Sequence, residues 1–182
     1  TTVKTIGTSG DYTTVQAWED ALPANLVTDG NIQQGQCKNQ TFTVAAGVLT
    51  IGGQTTDASY YVELTTESGA SFVDHADKLT NALKYNASNG AALACSNNYT
   101  KTISVTTNYT RLNKLQVTNS GGAGATSGIA ISACTNTWVD RCIVAMTNVS
   151  FNSPAYNIIN SALFANSLVT IDGVQRFGAT FI

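Results

Sequence analysis

A short internal repeat constrains the fold of this chain more than any other feature of its sequence. Residues 109–117, 136–144 and 156–164 align with one another at offsets of 27 and 20 residues. A repeat of this length indicates an architecture in which similar units stack on one another. We expect the apolar columns of the alignment to be inward-facing core ladders; they are Leu112, Val139 and Ile159, then Leu115, Cys142 and Ala162, then Val117, Val144 and Phe164.

The composition indicates that the repeating unit is made of strands. Only 11% of the residues are charged, whereas 27 are Thr and 17 are Asn. Thr favours strands, and Asn favours tight turns. The sequence therefore predicts an all-β chain, a short parallel β-helix (solenoid) that forms a single domain over residues 1–182, with β coils and a C-terminal tail over residues 31–182. A β-sandwich is the alternative, but it needs frequent hairpin turns, and the Asn-Gly hairpin signal occurs once, at Asn89-Gly90.

Residues 1–30 carry a short strand and a helix that would close one end of the stack. Thr13 and Gln16 fit a capping box at the start of this helix, which we expect to run from residue 14 to Leu22. Trp18 and Leu22 lie on its apolar face. We expect the helix to cap the first coil, with Trp18 covering it.

Charge and hydropathy exclude two classes of partner. The net charge is −2 and the nine basic residues are scattered, which argues against electrostatic binding to nucleic acid. No apolar run approaches the length of a membrane span. The chain begins without a secretory signal sequence, so we expect synthesis in the cytoplasm without secretion.

Three segments of the chain resemble structural proteins of tailed bacteriophages and prophages. They are residues 10–22, 71–74 and 80–90, and the most specific part is Asp-Tyr-Thr-Thr-Val-Gln-Ala-Trp-Glu-Asp. The resemblance covers nearly the whole chain. It implies a right-handed, pectate-lyase-like parallel β-helix with an N-terminal capping α-helix. Many such proteins are longer, which here favours a compact virion component over an enzyme.

This resemblance leads us to expect a non-enzymatic virion structural protein, made in the cytoplasm of a host bacterium. The expected role is a capsid decoration or cement protein on the particle exterior, in contact with the major capsid protein. One alternative is a tail-associated spike or fibre module that binds host surface glycans. A second alternative is a glycan lyase or hydrolase. We expect no cofactor.

Titratable residues offer few combinations that could carry chemistry. His75 lies between Asp74 and Asp77, but a zinc site needs three or four ligands, so we expect a polar loop and no metal. Glycosidases need two carboxyl groups that flank the scissile bond. We expect no catalytic residue, because the carboxylates are scattered or isolated; they include Glu19, Asp20, Glu63, Glu67, Asp140 and Asp172.

The four cysteines are expected to be reduced and buried, because no Cys-x-x-Cys pair occurs and disulfides are rare in the cytoplasm. Cys95 and Cys134 each precede a similar sequence, Ser-Asn-Asn-Tyr and Thr-Asn-Thr-Trp, so we expect them at similar corners. If those corners stacked, a Cys95–Cys134 disulfide would be the alternative.

Four aromatic residues recur near the starts of the predicted strands. They are Tyr99, Tyr109, Trp138 and Tyr156. Exposed rings along one face would form a sugar-binding platform. We expect the other arrangement, an aromatic ladder in or at the edge of the core.

The last residues of the chain predict an assembly contact. Phe177, Phe181 and Ile182 would form an exposed apolar patch, which soluble monomers rarely keep. We expect this patch to pack against other copies in a closed homo-oligomer such as a trimer, or against the capsid. A tail that folds back over the last coil is the alternative.

Overall fold

The computed structural model describes residues 1–44, 48–75, 84–97, 100–121 and 127–146, and four strands beyond them. None of the described helices has the length and hydropathy to cross a bilayer. The helices are α1 (Val15–Glu19), α2 (Leu26–Asp29) and α3 (Phe72–His75), with a 3-10 turn at Ala87–Asn89. The strands are β1 (Thr2–Ile6), β2 (Gln33–Cys37), β3 (Thr41–Thr43), β4 (Leu49–Ile51), β5 (Val62–Thr66), β6 (Ala92–Cys95), β7 (Lys101–Val105), β8 (Thr110–Asn113), β9 (Gln116–Asn119), β10 (Ser127–Ile131), β11 (Thr137–Asp140), β12 (Ile143–Met146), β13 (Tyr156–Ile158), β14 (Ala162–Ala165), β15 (Leu168–Ile171) and β16 (Ala179–Phe181).

These strands form three parallel sheets. Sheet A has the order β1-β2-β5-β8-β11-β14, sheet B the order β3-β6-β9-β12-β15, and sheet C the order β4-β7-β10-β13-β16. From β2 onward the chain visits sheets A, B and C in the same cyclic order, so each strand pairs with the strand three elements away. The predicted all-β fold with parallel sheets is confirmed. The β-sandwich alternative is wrong for the described strands, because a sandwich is built from antiparallel pairs.

The strand register matches the alignment of the first two copies of the sequence repeat, residues 109–117 and 136–144. Val139 in β11 lies opposite Leu112 in β8, and Val144 in β12 lies opposite Val117 in β9. All four side chains are fully buried. The 27-residue offset therefore corresponds to one step from strand to strand in sheets A and B.

The third copy of the repeat, residues 156–164, is out of register with the predicted alignment. Phe164 lies opposite Val139 in sheet A, whereas the alignment placed it beside Val144. The residue opposite Val144 is Val169 in β15. Both observed pairs are 25 residues apart, so the offset of 20 matched apolar residues that belong to different sheets.

The alignment took two other apolar residues from this third copy, Ile159 and Ala162, and neither is found beside its predicted partner. Ala162 lies opposite Thr137 and not beside Cys142, and Ile159 lies outside the described residues. The error has a physical cause: strands of three to five residues carry too few apolar positions to distinguish one inward column from another when the connections vary in length.

The corners between strands repeat together with the strands. Tyr109 and Asn136 have φ angles of 52° and 55°, and Lys114 and Arg141 have φ angles of 61° and 48°. Each pair is again 27 residues apart, and all four lie in the left-handed region that non-glycine residues rarely adopt. At one corner the backbone N–H of Lys114 donates to the carbonyl of Asp140 over 3.0 Å. Hydrogen bonding between successive layers thus continues beyond the strands.

Inward columns extend further than the repeat suggested. In sheet B, Phe42, Leu93, Val117 and Val144 are successive cross-strand neighbours, and all four are buried. Complete burial of such a side chain stabilises a fold by roughly 1.5–3 kcal/mol. Sheet B therefore contains a continuous ladder of four buried side chains, which includes the predicted pair Val117 and Val144.

The N-terminal cap exists, but its helix is shorter than predicted. The helix ends at Glu19, and Leu22 follows it, partly buried against the core. Thr14, and not Thr13, is the N-cap, because its hydroxyl accepts the hydrogen bond from the Ala17 N–H. The Gln16 side chain does not complete a capping box; its amide donates to Glu19 and Asp20.

Trp18 packs into a gap in the core that a glycine leaves open. Its exposed fraction is 1%. A Cβ at Gly35 would lie 2.8 Å from Trp18 Cε2 and 2.8 Å from Ile6 Cδ1, closer than side chains tolerate. The indole Nε1 is buried without a partner among the described residues, and packing of the ring must outweigh this unpaired donor. The indole therefore occupies the space that a side chain at position 35 would fill.

Truncation of the indole tests this contact. We expect Trp18→Ala to lower the free energy of unfolding by about 3 kcal/mol, the lower end of the range for buried aromatic residues, because the variant also removes the unpaired N–H. Gly35→Ala should be destabilising in the wild type and less so in the Trp18→Ala background. Denaturant titration of the four proteins gives the coupling; additive effects would contradict the proposed contact.

Candidate functional site

Glu19 is a buried carboxylate that ties the cap to the loop after β4. Its Oε1 accepts hydrogen bonds from the Gly52 N–H (3.0 Å) and from the Gln54 side-chain amide (2.9 Å). Its Oε2 accepts from the Gln16 amide over 3.1 Å. The side chain is 6% exposed. Each of these donors belongs to the fold, so Glu19 has a structural role.

Removal of this carboxylate should destabilise the protein. Glu19→Ala leaves a backbone N–H and a side-chain amide without an acceptor, so we expect a loss of about 2–3 kcal/mol in the free energy of unfolding. Asp20→Ala is the matched control, because the neighbouring acid is exposed. Equal midpoints in urea for the two variants would contradict the structural role of Glu19.

The His75 region consists of turn-stabilising hydrogen bonds within the described residues. His75 Nε2 lies 2.9 Å from the Gly69 carbonyl oxygen and donates to it, since a carbonyl only accepts. Asp74 Oδ2 accepts from the N–H groups of Gly69 and Ser71. Asp77 lies outside the described residues. The part of the chain that the structure describes contains no group of three metal-ligating side chains.

All four cysteines are buried thiols, and none forms a disulfide. Burial raises the pKa of Cys37 and Cys134, and it raises the pKa of Cys142 to about 12. The predicted similarity of two corners is wrong: Cys95 lies within β6 opposite Asn119, whereas Cys134 follows β10 at a corner. Cys95 is thus the last residue of a strand in sheet B, whereas Cys134 lies at the corner between sheets C and A.

The raised pKa of Cys142 predicts a loss of stability at alkaline pH. In the unfolded chain the thiol ionises near the ordinary cysteine pKa of 9.0, whereas in the folded protein it stays protonated up to about pH 12. Its contribution to stability is complete below pH 9 and falls between these values. The difference in free energy of unfolding between wild type and Cys142→Ala should therefore shrink as the pH rises from 9, measured by denaturant titration. A difference that is independent of pH would disprove the buried neutral thiol.

Tyr109 and Trp138, the two recurring aromatic residues whose side chains the structure describes, do not lie in one ladder. Trp138 projects outward from β11 and is 43% exposed, with Arg111 as its neighbour in β8. Tyr109 is half-buried at a corner. The backbone of Tyr156 lies opposite Ile129 in sheet C, and Tyr99 lies outside the described residues. The prediction of a core ladder is therefore wrong for Trp138.

A row of mostly polar and aromatic side chains crosses the outer face of sheet A. The backbone register places Val3, Gln34, Glu63, Arg111 and Trp138 opposite one another in successive strands. Successive residues of a strand point to opposite faces, so this row lies directly behind the buried column that contains Leu112 and Val139. The same register that builds the core thus brings these side chains together.

Arg111 is held in place by an aromatic neighbour. Its guanidinium carbon lies 3.5 Å from the centre of the Tyr61 ring and 5.9 Å from that of Trp138. Its Nη1 donates to the Tyr61 hydroxyl over 2.7 Å. Stacking and hydrogen bonding together restrict the position of this long side chain.

A groove of about 170 Å³ lies beside this arginine. Asp140 in its wall forms an ion pair with Arg141, with Oδ2 2.8 Å from Nε, and Glu63 accepts from the Gln34 amide over 2.8 Å. Asn113 Oδ1 is buried without a hydrogen-bond partner among the described residues. The residues that line the groove are Glu63, Arg111, Leu112, Asn113, Trp138 and Asp140.

The groove was missed by sequence reasoning, although one signal for it was present. The alignment of 109–117 with 136–144 places Arg111 beside Trp138, and the structure pairs them. No comparable signal connected Glu63 or Tyr61 to this pair, because β5 lies outside the recognised repeat.

A second cavity, about 430 Å³, lies between α1 and strands β3 and β4. Its lining is Thr, Gln and apolar side chains without a charged group. The groove on sheet A differs because it combines charged side chains with an exposed aromatic ring, so it is the better candidate for recognition of a polar ligand despite its smaller volume.

The predicted assembly residues are mostly outside the described part of the chain. Phe177 and Ile182 lie outside it, and so does Asp172. Phe181 ends β16, where its backbone lies opposite Ile158.

Comparison of the chain with protein-family models, with curated protein sequences and with solved structures gives no match.

Proposed function

We propose that the chain is a right-handed parallel β-helix that serves as a non-enzymatic structural module on the exterior of a bacteriophage particle. The observation that carries this proposal is the cyclic visit to three parallel sheets, in which each round of the chain adds one strand to every sheet. Right-handedness follows from the strong preference of crossover connections between parallel strands.

The interior of the molecule supports a structural role. Continuous buried columns and layer-to-layer hydrogen bonds make a stack in which each layer depends on its neighbours. Three of the described acids also serve the fold: Glu19 holds the cap, Asp74 holds a turn, and Asp140 pairs with Arg141. A module of this kind suits a particle surface, where resistance to unfolding matters.

The two ends of the stack support assembly with other virion proteins. Helix α1 contacts β1, β2 and β4 at the end where the sheets begin. At the other end β14, β15 and β16 stand last in their sheets among the described strands. Strand edges favour pairing with another chain unless they are covered. Contact with the major capsid protein, or closure into a homo-oligomer such as a trimer, would cover them.

The position of the protein in purified particles tests this proposal. We expect peptide mass spectrometry to detect the chain in particles, in a copy number that scales with the major capsid subunit. A few copies per particle would overturn the capsid role in favour of a tail module. Absence from particles would overturn the virion assignment, and cleavage of any member of a glycan panel would overturn the non-enzymatic role.

A further inference from the structure

We infer that the groove on the outer face of sheet A binds a neutral saccharide, with one sugar ring against Trp138 and its hydroxyl groups on Arg111 and the neighbouring acceptors. This inference goes beyond the proposed structural role and does not rest on it.

The exposure of Trp138 is the first observation. Among the described residues, the large hydrophobic side chains that are exposed are Val3, Val27 and Trp138. A single exposed apolar side chain needs no explanation. Trp138 differs from the other two because it lines a groove together with charged and amide side chains. An aromatic ring with polar groups around it is the arrangement that can recognise a ligand with both an apolar face and hydroxyl groups.

The second observation is that the polar groups are already positioned. Tyr61 fixes Arg111 from one side, and the remaining guanidinium donors make no hydrogen bond with the described residues. Asn113 also lines the groove, and its amide side chain can both donate and accept hydrogen bonds. Ordering of these groups before binding reduces the entropy that a ligand must overcome.

The charges around the groove favour a neutral ligand. Asp140 is compensated by Arg141 at 2.8 Å. Glu63 and Arg111 lie opposite each other in adjacent strands and carry opposite charges. The four groups sum to zero, so neither an anion nor a cation gains a net attraction. Hydroxyl groups can both donate to the carboxylates and accept from the guanidinium.

The volume of the groove limits the ligand to a small unit. At about 170 Å³ it is smaller than the roughly 300–1,000 Å³ of pockets that enclose a drug-sized molecule. It therefore holds one ring, either a free monosaccharide or one residue of a longer glycan. A ligand with so few atoms binds weakly, with Kd on the order of 1 mM.

The two tryptophans of the chain provide a direct test, since Trp18 is buried and Trp138 is exposed. We would titrate ¹⁵N-labelled protein with methyl glycosides of glucose, galactose, mannose, N-acetylglucosamine and rhamnose, and follow the two indole N–H signals. The signals are assigned with Trp138→Phe. We expect at least one neutral glycoside to shift the Trp138 signal in a saturable way and to leave the Trp18 signal unchanged.

Three variants show whether the groove is responsible. Trp138→Ala and Arg111→Ala, followed through backbone amide signals of sheet A, should each weaken binding by roughly tenfold. Val3→Ala is the matched control: it removes an exposed side chain from the same row, far from the groove, and should bind like the wild type. Thermal melting confirms that all three are folded.

Two results would overturn the inference. The first is the absence of a saturable Trp138 shift with every neutral glycoside, or backbone amide shifts in sheet A that show unchanged affinity in either groove variant. The second is tighter binding of methyl glucuronide or of methyl glucosaminide than of any neutral glycoside, since the groove would then select a charge. Neither result bears on the presence of the chain in particles, so the proposed function and this inference can fail separately.

Discussion

In-register parallel pairing across three sheets is the constraint on which the rest of the structure depends. A shift of one residue in any strand would turn its inward side chains outward. The pairing of Leu112 with Val139 therefore determines at once that both are buried and that Arg111 and Trp138 stand together on the opposite face. The core and the candidate site therefore lie on opposite faces of sheet A, and both depend on the same strand register. The described corners reinforce it, because the left-handed residues recur at the spacing of the strands.

The end of the stack where the sheets begin shows how a chain with few charges closes its core. Trp18 enters the space beside Gly35, and the neighbouring Glu19 holds the following loop through hydrogen bonds. One short helix thus supplies both the apolar side chain that fills the end of the core and the carboxylate that holds the following loop. A helix of five residues would be unstable alone, so its stability comes from these contacts and from the Thr14 cap.

Among the described residues, the side chains that could bind a ligand lie on the outer face of sheet A and not in the core. Cys37, Cys134 and Cys142 stay neutral because burial raises the pKa of each thiol. The acids Glu19 and Asp74 are engaged by the fold. The outer face of sheet A differs, because Arg111 keeps donors that no described residue uses and Trp138 remains exposed. This contrast between an engaged interior and an available outer face underlies both proposals, one for a structural module and one for a ligand groove.

The sequence by itself determined the all-β class, the parallel stacking implied by a repeat, the N-terminal cap with buried Trp18, and the 27-residue step that joins Leu112 to Val139. These features follow from local patterns in the sequence. Alternation of apolar residues, turn residues and helix periodicity can be recognised without knowing which strands pair. The tertiary structure alone decided the register of the third copy of the repeat, in which Phe164 lies opposite Val139. It also decided that Thr14 is the N-cap and that Glu63, Arg111 and Trp138 meet in one groove. The physical reason is that connections of variable length separate the strands, so which residues become neighbours depends on pairing energies summed over whole sheets and not on spacing along the chain.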